Sequence, residues 1–203
     1  MSGMMKGSLE LLTDKNSTLL LVDYQPSMIR SIASGDKVTI KKAAICAAKA
    51  ASILGIPVVL SSINPKQNGE FFSEISGLFP KQEVHARPVP SFDAFEDPAT
   101  YNDFVKSGRK KLVISGLWTS MCFGFTALHA LREGYEVYGL IDAAGDSTPE
   151  AHKCGIKRMV QAGVVPITTE TLVSEWMHDW NNPKAGELVK EVYTKYGAMI
   201  GLH

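Results

Sequence analysis

The sequence predicts an α/β fold: a three-layer, doubly wound, mainly parallel six-stranded sheet with helices on both faces. Three observations predict it. Short apolar runs alternate with longer amphipathic stretches, the βαβ rhythm of a parallel sheet covered by helices. The runs are continuously apolar rather than alternating, as in TLLLVD, which marks strands buried on both faces. The 203 residues, 45% apolar and 21% charged, suit one domain that buries about 70% of its unfolded surface without a disulfide or structural metal.

Each element has its own signal. The first strand is 18–23, closed by Asp23. A helix is expected over 37–54, where the alanine-rich run KKAAICAAKAAS permits close packing on the sheet; Gly55 stops it and Pro57 opens the second strand, PVVLSS. Residues 64–98 hold five of the ten prolines, so only a short helix around 71–77 and a short strand at 84–87 are expected there. The rhythm then resumes with a helix at 98–107, a strand at 111–115, a helix at 121–133 and a strand at 135–141. A helix at 150–162, a strand at 164–167 and helical segments at 171–179 and 183–196 follow. No repeat, low-complexity tract or linker divides 1–203, which reads as a single domain.

Composition excludes several classes. Lys plus Arg equals Asp plus Glu, giving a formal charge of zero, so no nucleic-acid partner is expected. Lys6, Glu10 and Asp14 interrupt the N-terminal stretch, which does not read as a signal peptide. No run approaches 18 uncharged apolar residues, so no membrane span is expected. Three cysteines without CxxC spacing argue against a disulfide framework or zinc knuckle and for a reducing, cytoplasmic setting.

In such a fold, function sits at the carboxyl ends of strands, near the switch in strand order. The first strand ends at Asp23, the second at 61–64, the third near Arg87, and the fourth runs into GLWTSMC and a helix. A carboxylate, a guanidinium and the Cys122 thiol thus converge on one sheet edge. A cysteine at a helix start feels the positive end of the macrodipole, which favours thiolate. Free backbone N–H groups there can hold an oxyanion, and Asp23 can take the thiol proton and return it. Cys46 and Cys154 read as structural, and His129 as a buried, hydrogen-bonded histidine. His85, His152 and His178 lack ligand spacing. Trp176 and Trp180 suit a helix face packed on the domain or a neighbour.

Three segments together resemble the isochorismatase-like cysteine hydrolases, the superfamily that includes nicotinamidases and carbamoyl-amide hydrolases. They are LLLVDYQ at 19–25, GLWTSMCF at 116–123 and GYEVYGLIDAAGDS at 134–147, and the likeness runs from Leu19 to about Trp180. The resemblance implies that Asp23 is the general acid and base and Cys122 the nucleophile. It also implies a cis Leu117–Trp118 peptide, and an oxyanion hole from the N–H groups of Trp118 and Cys122. The third catalytic member is usually lysine; here HARPVPSFDAF places Arg87 at the match, with Lys81 as the weaker substitute. The metal-binding histidines of nicotinamidases have no counterpart in SSINPKQNGEFF, so no metal and no cofactor is expected. ARP, RMVQAG (158–163) and SEWMHDW resemble bacterial members of unassigned substrate that assemble as tetramers or octamers. A homo-oligomer is therefore expected, with the C-terminal helices at about 171–196 in its interface.

The activity expected is cleavage of a C–N bond in a small amide or carbamoyl-type substrate through a Cys122 acyl-enzyme. Gln25, Asn64, Phe92 and Trp118, which border the catalytic positions in sequence, are the candidate substrate contacts. The alternatives are an isochorismate-type vinyl ether hydrolase, for which the thiol matters less, and a catalytically silent oligomeric scaffold.

Overall fold

The computed structural model describes residues 10–88, 90–197 and 199–200; the N-terminal stretch read above lies outside them as far as residue 9. Six strands form one sheet: β1 (Ser17–Val22), β2 (Val58–Ile63), β3 (Val84–Arg87), β4 (Lys111–Gly116), β5 (Glu136–Leu140) and β6 (Val165–Ile167). Their order is β3-β2-β1-β4-β5-β6 and every pairing is parallel. The order reverses between β1 and β4, which are neighbours in register from Ser17↔Lys111 to Val22↔Gly116. That reversal is the switch point at which this architecture places its ligand.

Both faces of the sheet are covered. Leu19 and Leu21 of β1 point into one apolar core and Leu20 and Val22 into the other, the period-two alternation of a strand. Each of the three leucines is fully buried, a contribution of about 1.5–3 kcal/mol apiece. The first core is closed by α2 (Lys37–Leu54), α8 (Thr169–Met177) and α9 (Ala185–Leu188). The second is closed by α5 (Pro98–Lys106), α6 (Gly124–Arg132) and α7 (Pro149–Ala162) through Phe104, Ala127, Ala130 and Met159.

Local signals set the helix ends. Asp36 caps α2 by accepting the Thr39 N–H at 2.8 Å, and Gly55 ends it in the left-handed conformation at φ +69°, where a Cβ would be strained. Six alanines of α2 are fully buried, so the helix lies close on the sheet. The C-terminal segment belongs to the same body: Trp176 on α8 is 2% exposed and its indole N–H donates to Ser17 Oγ at 2.8 Å.

Two short helices, α1 (Pro26–Arg30) and α3 (Pro65–Asn68), were not expected, and around 71–77 the helix α4 is confined to Ser73–Ser76. The helix expected from 121 is preceded by a π-type turn over Thr119–Phe123, and the last segment is α9 followed by a π-type turn at Val189–Tyr193. Among the described residues no helix is long and apolar enough to cross a membrane.

Candidate active site

Asp23 is the first residue past β1. Its N–H donates to Ser61 O at 2.8 Å, extending the β1–β2 ladder by one step, and its carbonyl accepts the Gln25 N–H at 2.8 Å. Between these two bonds the backbone turns into the left-handed region, φ +60°. Such a conformation is uncommon for a residue with a Cβ, although Asp tolerates it better than most, and it persists where the surroundings enforce it. The side chain is fully buried.

Arg87 ends the edge strand β3, and its side chain reaches across β2. Nη1 donates to Ser61 Oγ at 2.9 Å and Nη2 to Asp23 Oδ2 at 2.7 Å. Nη2 also stands 4.0 Å from Cys122 Sγ. The Arg87–Asp23 pair has no exposed side-chain surface. Two buried polar atoms of the site have no hydrogen-bond partner, Asp23 Oδ1 and Arg87 Nε; orphaned polar atoms are costly in a finished core and point to a place where a reacting group binds.

Cys122 arrives from β4. A Cβ on Gly116 would stand 2.8 Å from both the Cβ and the carbonyl oxygen of Val22, so only glycine lets the end of β4 lie this close to the end of β1. The Leu117–Trp118 peptide that follows is cis. The turn carrying the cysteine closes with Phe123 N–H on Trp118 O at 3.3 Å. From outside, the turn is held by Thr119 N–H on Gly145 O at 2.9 Å and Ser120 N–H on Asp146 Oδ2 at 2.7 Å. Thr119 Oγ1 also bonds His152 Nδ1 at 2.8 Å. Helix α7 presses on it at Gly155, where a Cβ would meet Ser120 Cα at 2.9 Å. None of Ser61, Asp146, His152 or Gly155 was singled out as part of the site from the sequence, since each comes from a separate segment.

The electrostatics correct one expectation. Burial, then the neighbouring Asp23 carboxylate, push the Cys122 thiol well above its ordinary range; Arg87 and the Trp118 backbone N–H oppose them. The resting sulfur is therefore a thiol, not the thiolate expected from a helix start. It is 1% exposed, and desolvation of a charged sulfur outweighs the partial charges of one turn. Burial likewise raises Asp23, while the Arg87 guanidinium pulls it back down. The carboxyl and thiol share one proton beside a fixed cation, so they titrate as a pair.

The expected substrate contacts fare differently. Gln25 belongs to the scaffold: its amide NH2 donates to Ile63 O at 3.1 Å and Gly69 O at 2.7 Å, and its oxygen accepts the Ile63 N–H at 2.9 Å. Asn64 lies past β2 at φ +42°, where its side chain bonds Gln67 at the surface. Phe92 is 46% exposed and packs edge-on against Phe125 of α6, 6.1 Å between centroids. Trp118 is half-buried, with its indole N–H on Ser31 Oγ at 2.9 Å and its backbone N–H directed at the sulfur. Lys81 is exposed in the loop before β3 and stands in for nothing.

Cys46 is buried, and its thiol is pushed by burial up to about 11. Cys154, expected to be structural, is exposed on α7 instead. His129 is a hydrogen-bonded histidine, with Nδ1 2.7 Å from Asp93 Oδ2, and His85 stands equally close to Asp103. No group of three or more His, Cys, Asp or Glu able to hold a metal ion occurs among the described residues.

Comparison with known proteins places these features in context. Residues 17–171 match the isochorismatase domain. The probable hydrolase YcaC of Escherichia coli K12 is 30% identical over 179 residues, 85% of this chain and 84% of that one. The crystal structure of the E. coli YcaC gene product, described as an octameric hydrolase of unknown specificity, superposes with a TM-score of 0.86 at 26% identity over 91% of this chain and 90% of that one. YcaC from Pseudomonas aeruginosa, solved with hexane-2,5-diol and covalent acrylamide, gives 0.84 at 25% identity over 88% and 90%.

Proposed function

The chain belongs to the isochorismatase family of hydrolases, and from that premise we propose that it cleaves a C–N bond of a small amide or carbamoyl-type substrate through a covalent Cys122 intermediate. The observation that carries the proposal is the buried triangle in which one Arg87 nitrogen stands 2.7 Å from Asp23 Oδ2 and 4.0 Å from Cys122 Sγ.

In the first half-reaction Asp23 takes the thiol proton as Sγ attacks the carbonyl carbon. The Trp118 and Cys122 N–H groups hold the oxyanion. Asp23 then gives its proton to the leaving nitrogen, and the C–N bond breaks to leave a thioester. In the second, Asp23 draws a proton from water, the hydroxyl adds to the thioester carbon, and the C–S bond breaks. Asp23 returns the proton to sulfur, so amide plus water becomes acid plus amine. Arg87 keeps its charge throughout, since guanidinium does not give up a proton. It supplies the positive charge that keeps either carboxylate or thiolate tolerable in a dry site.

The Pseudomonas relative was solved with covalent acrylamide, a small amide-bearing electrophile, which supports covalent chemistry with molecules of this kind. A vinyl ether reaction would leave the Cys122 arrangement without use, and a silent scaffold would have no need of buried, unpaired Asp23 Oδ1. The octameric E. coli relative supports a homo-oligomer here as well. C-terminal interface contacts would come from surface groups such as Trp180, 60% exposed. Three unpaired cysteines fit a reducing, cytoplasmic setting.

The test is a panel of small amides and carbamoyl compounds scored for amine release by wild type, Cys122→Ser and Asp23→Asn. Turnover lost in both variants supports the proposal; turnover that survives in Cys122→Ser rejects it.

A further inference from the structure

Arg87 has a difficult geometric task. It sits at the end of a four-residue edge strand that is paired on one side only, through Ile63↔Arg87. Asp23 and Cys122 hang from the end of β1 and from the turn after β4, beyond β2. Nε has no partner, so besides the 4.0 Å approach of Nη2 to Cys122 Sγ the guanidinium is fixed by Nη2 on Asp23 and Nη1 on Ser61. If the second were lost, the plane could pivot about the first and carry its charge away from the sulfur.

Ser61 is itself held from behind. Thr100, in the first turn of α5, places Oγ1 3.3 Å from Ser61 Oγ and 2.8 Å from Asp97 Oδ2. Asp97 is the N-cap of α5 and accepts the Thr100 N–H at 3.0 Å. Ser61 and Thr100 are fully buried and Asp97 is 8% exposed. A guanidinium thus closes one end of a buried hydroxyl chain and a carboxylate the other. Opposite charges at its ends polarise the hydroxyls between them and restrict their rotation. Capping alone does not account for the chain, because Asp97 already caps α5 through a backbone N–H; the approach of Thr100 to Ser61 is additional.

We propose that Ser61, Thr100 and Asp97 are positioning residues that hold the Arg87 guanidinium against Asp23 and Cys122. The inference rests on the reading of Cys122 as the nucleophile. The ionisable groups that act on the sulfur are Asp23 and Arg87, so a shift of Arg87 alters how readily the thiol gives up its proton.

Thr100→Val removes the hydroxyl but keeps the side-chain volume and the backbone cap; Thr100→Ser keeps the hydroxyl; Ser61→Ala removes the direct acceptor. The measurement is the pH profile of Cys122 alkylation by iodoacetamide, resolved by peptide mass spectrometry, with thermal melts to confirm folding. Thr100→Val should move the profile to higher pH by roughly half to one unit, a three- to tenfold slower reaction near neutrality. Ser61→Ala should move it further, and Thr100→Ser should stay within about twofold of wild type. A role confined to stability would lower the melting temperature and leave the profile in place. Profiles of Thr100→Val and Ser61→Ala that superpose on a reactive wild type overturn the positioning claim alone, as does an equal loss in Thr100→Ser. Amide turnover that survives in Cys122→Ser overturns the nucleophile reading and this inference with it.

Discussion

Asp23→Asn separates two roles that are usually lost together. In the wild-type site one negative charge, shared between carboxyl and sulfur, balances buried Arg87. The isosteric amide removes the carboxylate and leaves the guanidinium with only the thiol to pair against. A buried, uncompensated cation is costly, and ionisation of Cys122 removes that cost. Arg87 Nη2 lies 4.0 Å from Sγ, a distance at which two unit charges interact by about 4 kcal/mol at an effective dielectric of 20. A third of that energy is already about tenfold in thiolate population. Asp23→Asn should therefore be alkylated at Cys122 by iodoacetamide at least about tenfold faster than wild type near pH 6.5. Amide hydrolysis should fall by about 10²–10⁴, the usual worth of a general acid and base. The amide matches the carboxylate in shape, so reagent access cancels from the ratio, and Cys46 and Cys154 report on any general loosening. If the variant slows alkylation as much as hydrolysis, the carboxylate activates the resting thiol rather than restraining it, and the electrostatic reasoning fails.

Three other outcomes follow from the same geometry. Arg87→Ala leaves the Asp23 carboxyl without its countercharge and should cost about 3–5 kcal/mol in urea unfolding. Burial already raises Asp23 above its ordinary 3.8 and loss of Arg87 raises it further, so the folded state binds more protons than the unfolded one above that pH. Stability is then lost as pH rises, and the deficit of Arg87→Ala relative to wild type should be larger at pH 7.5 than at pH 4.5; a deficit independent of pH contradicts this. Gly155→Ala drives a methyl to 2.9 Å from Ser120 Cα and should lower stability by about 1–3 kcal/mol with a disproportionate loss of Cys122 reactivity, read by melts and alkylation together. Gln25→Ala strips the side-chain partners from the Ile63 N–H and the Gly69 carbonyl, while the Ile63 carbonyl keeps Asn68 Nδ2. It should lower stability by about 1–3 kcal/mol per unsatisfied group, seen in urea unfolding, whereas a change confined to KM would return Gln25 to the pocket.

The elements that sequence patterning could reach were those with a long-range physical cause. β1 and β4 read as strands because burial on both faces demands continuous apolar runs, and α2 read as a helix because its alanine-rich run stops at Gly55. Asp23 and Cys122 were legible because polar or reactive groups that close such runs must emerge at the carboxyl edge. The short helices α1 and α3 span barely one turn, too little for a periodicity to appear. Their one available signal was a proline in the first helical position, at Pro26 and Pro65.

The pocket was read less well because nearness in sequence is a poor guide to where a side chain points. Gln25 follows Asp23 by two residues, yet the left-handed turn at Asp23 puts its amide on β2 and α3 rather than in the site. Phe92 follows Arg87 by five and lands on α6. The supporting residues were invisible for the opposite reason. Ser61, Thr100 and Asp97 come from two segments, Asp146 and His152 from others, and only the sheet order brings them together. The state of the sulfur was also beyond pattern reading, since it depends on desolvation that appears only once the whole site is enclosed.

The most direct test of the account is acylation by p-nitrophenyl acetate, a small ester that demands no knowledge of the natural substrate. Rapid mixing should give a burst of nitrophenol close to one equivalent of sites, an acetyl group mapped to Cys122 by peptide mass spectrometry, and subsequent loss of that group as water enters. Cys122→Ser should show neither burst nor label. A burst that survives in Cys122→Ser, or an acetyl group found on Cys46 or Cys154 and not on Cys122, would contradict a mechanism built on this thiol.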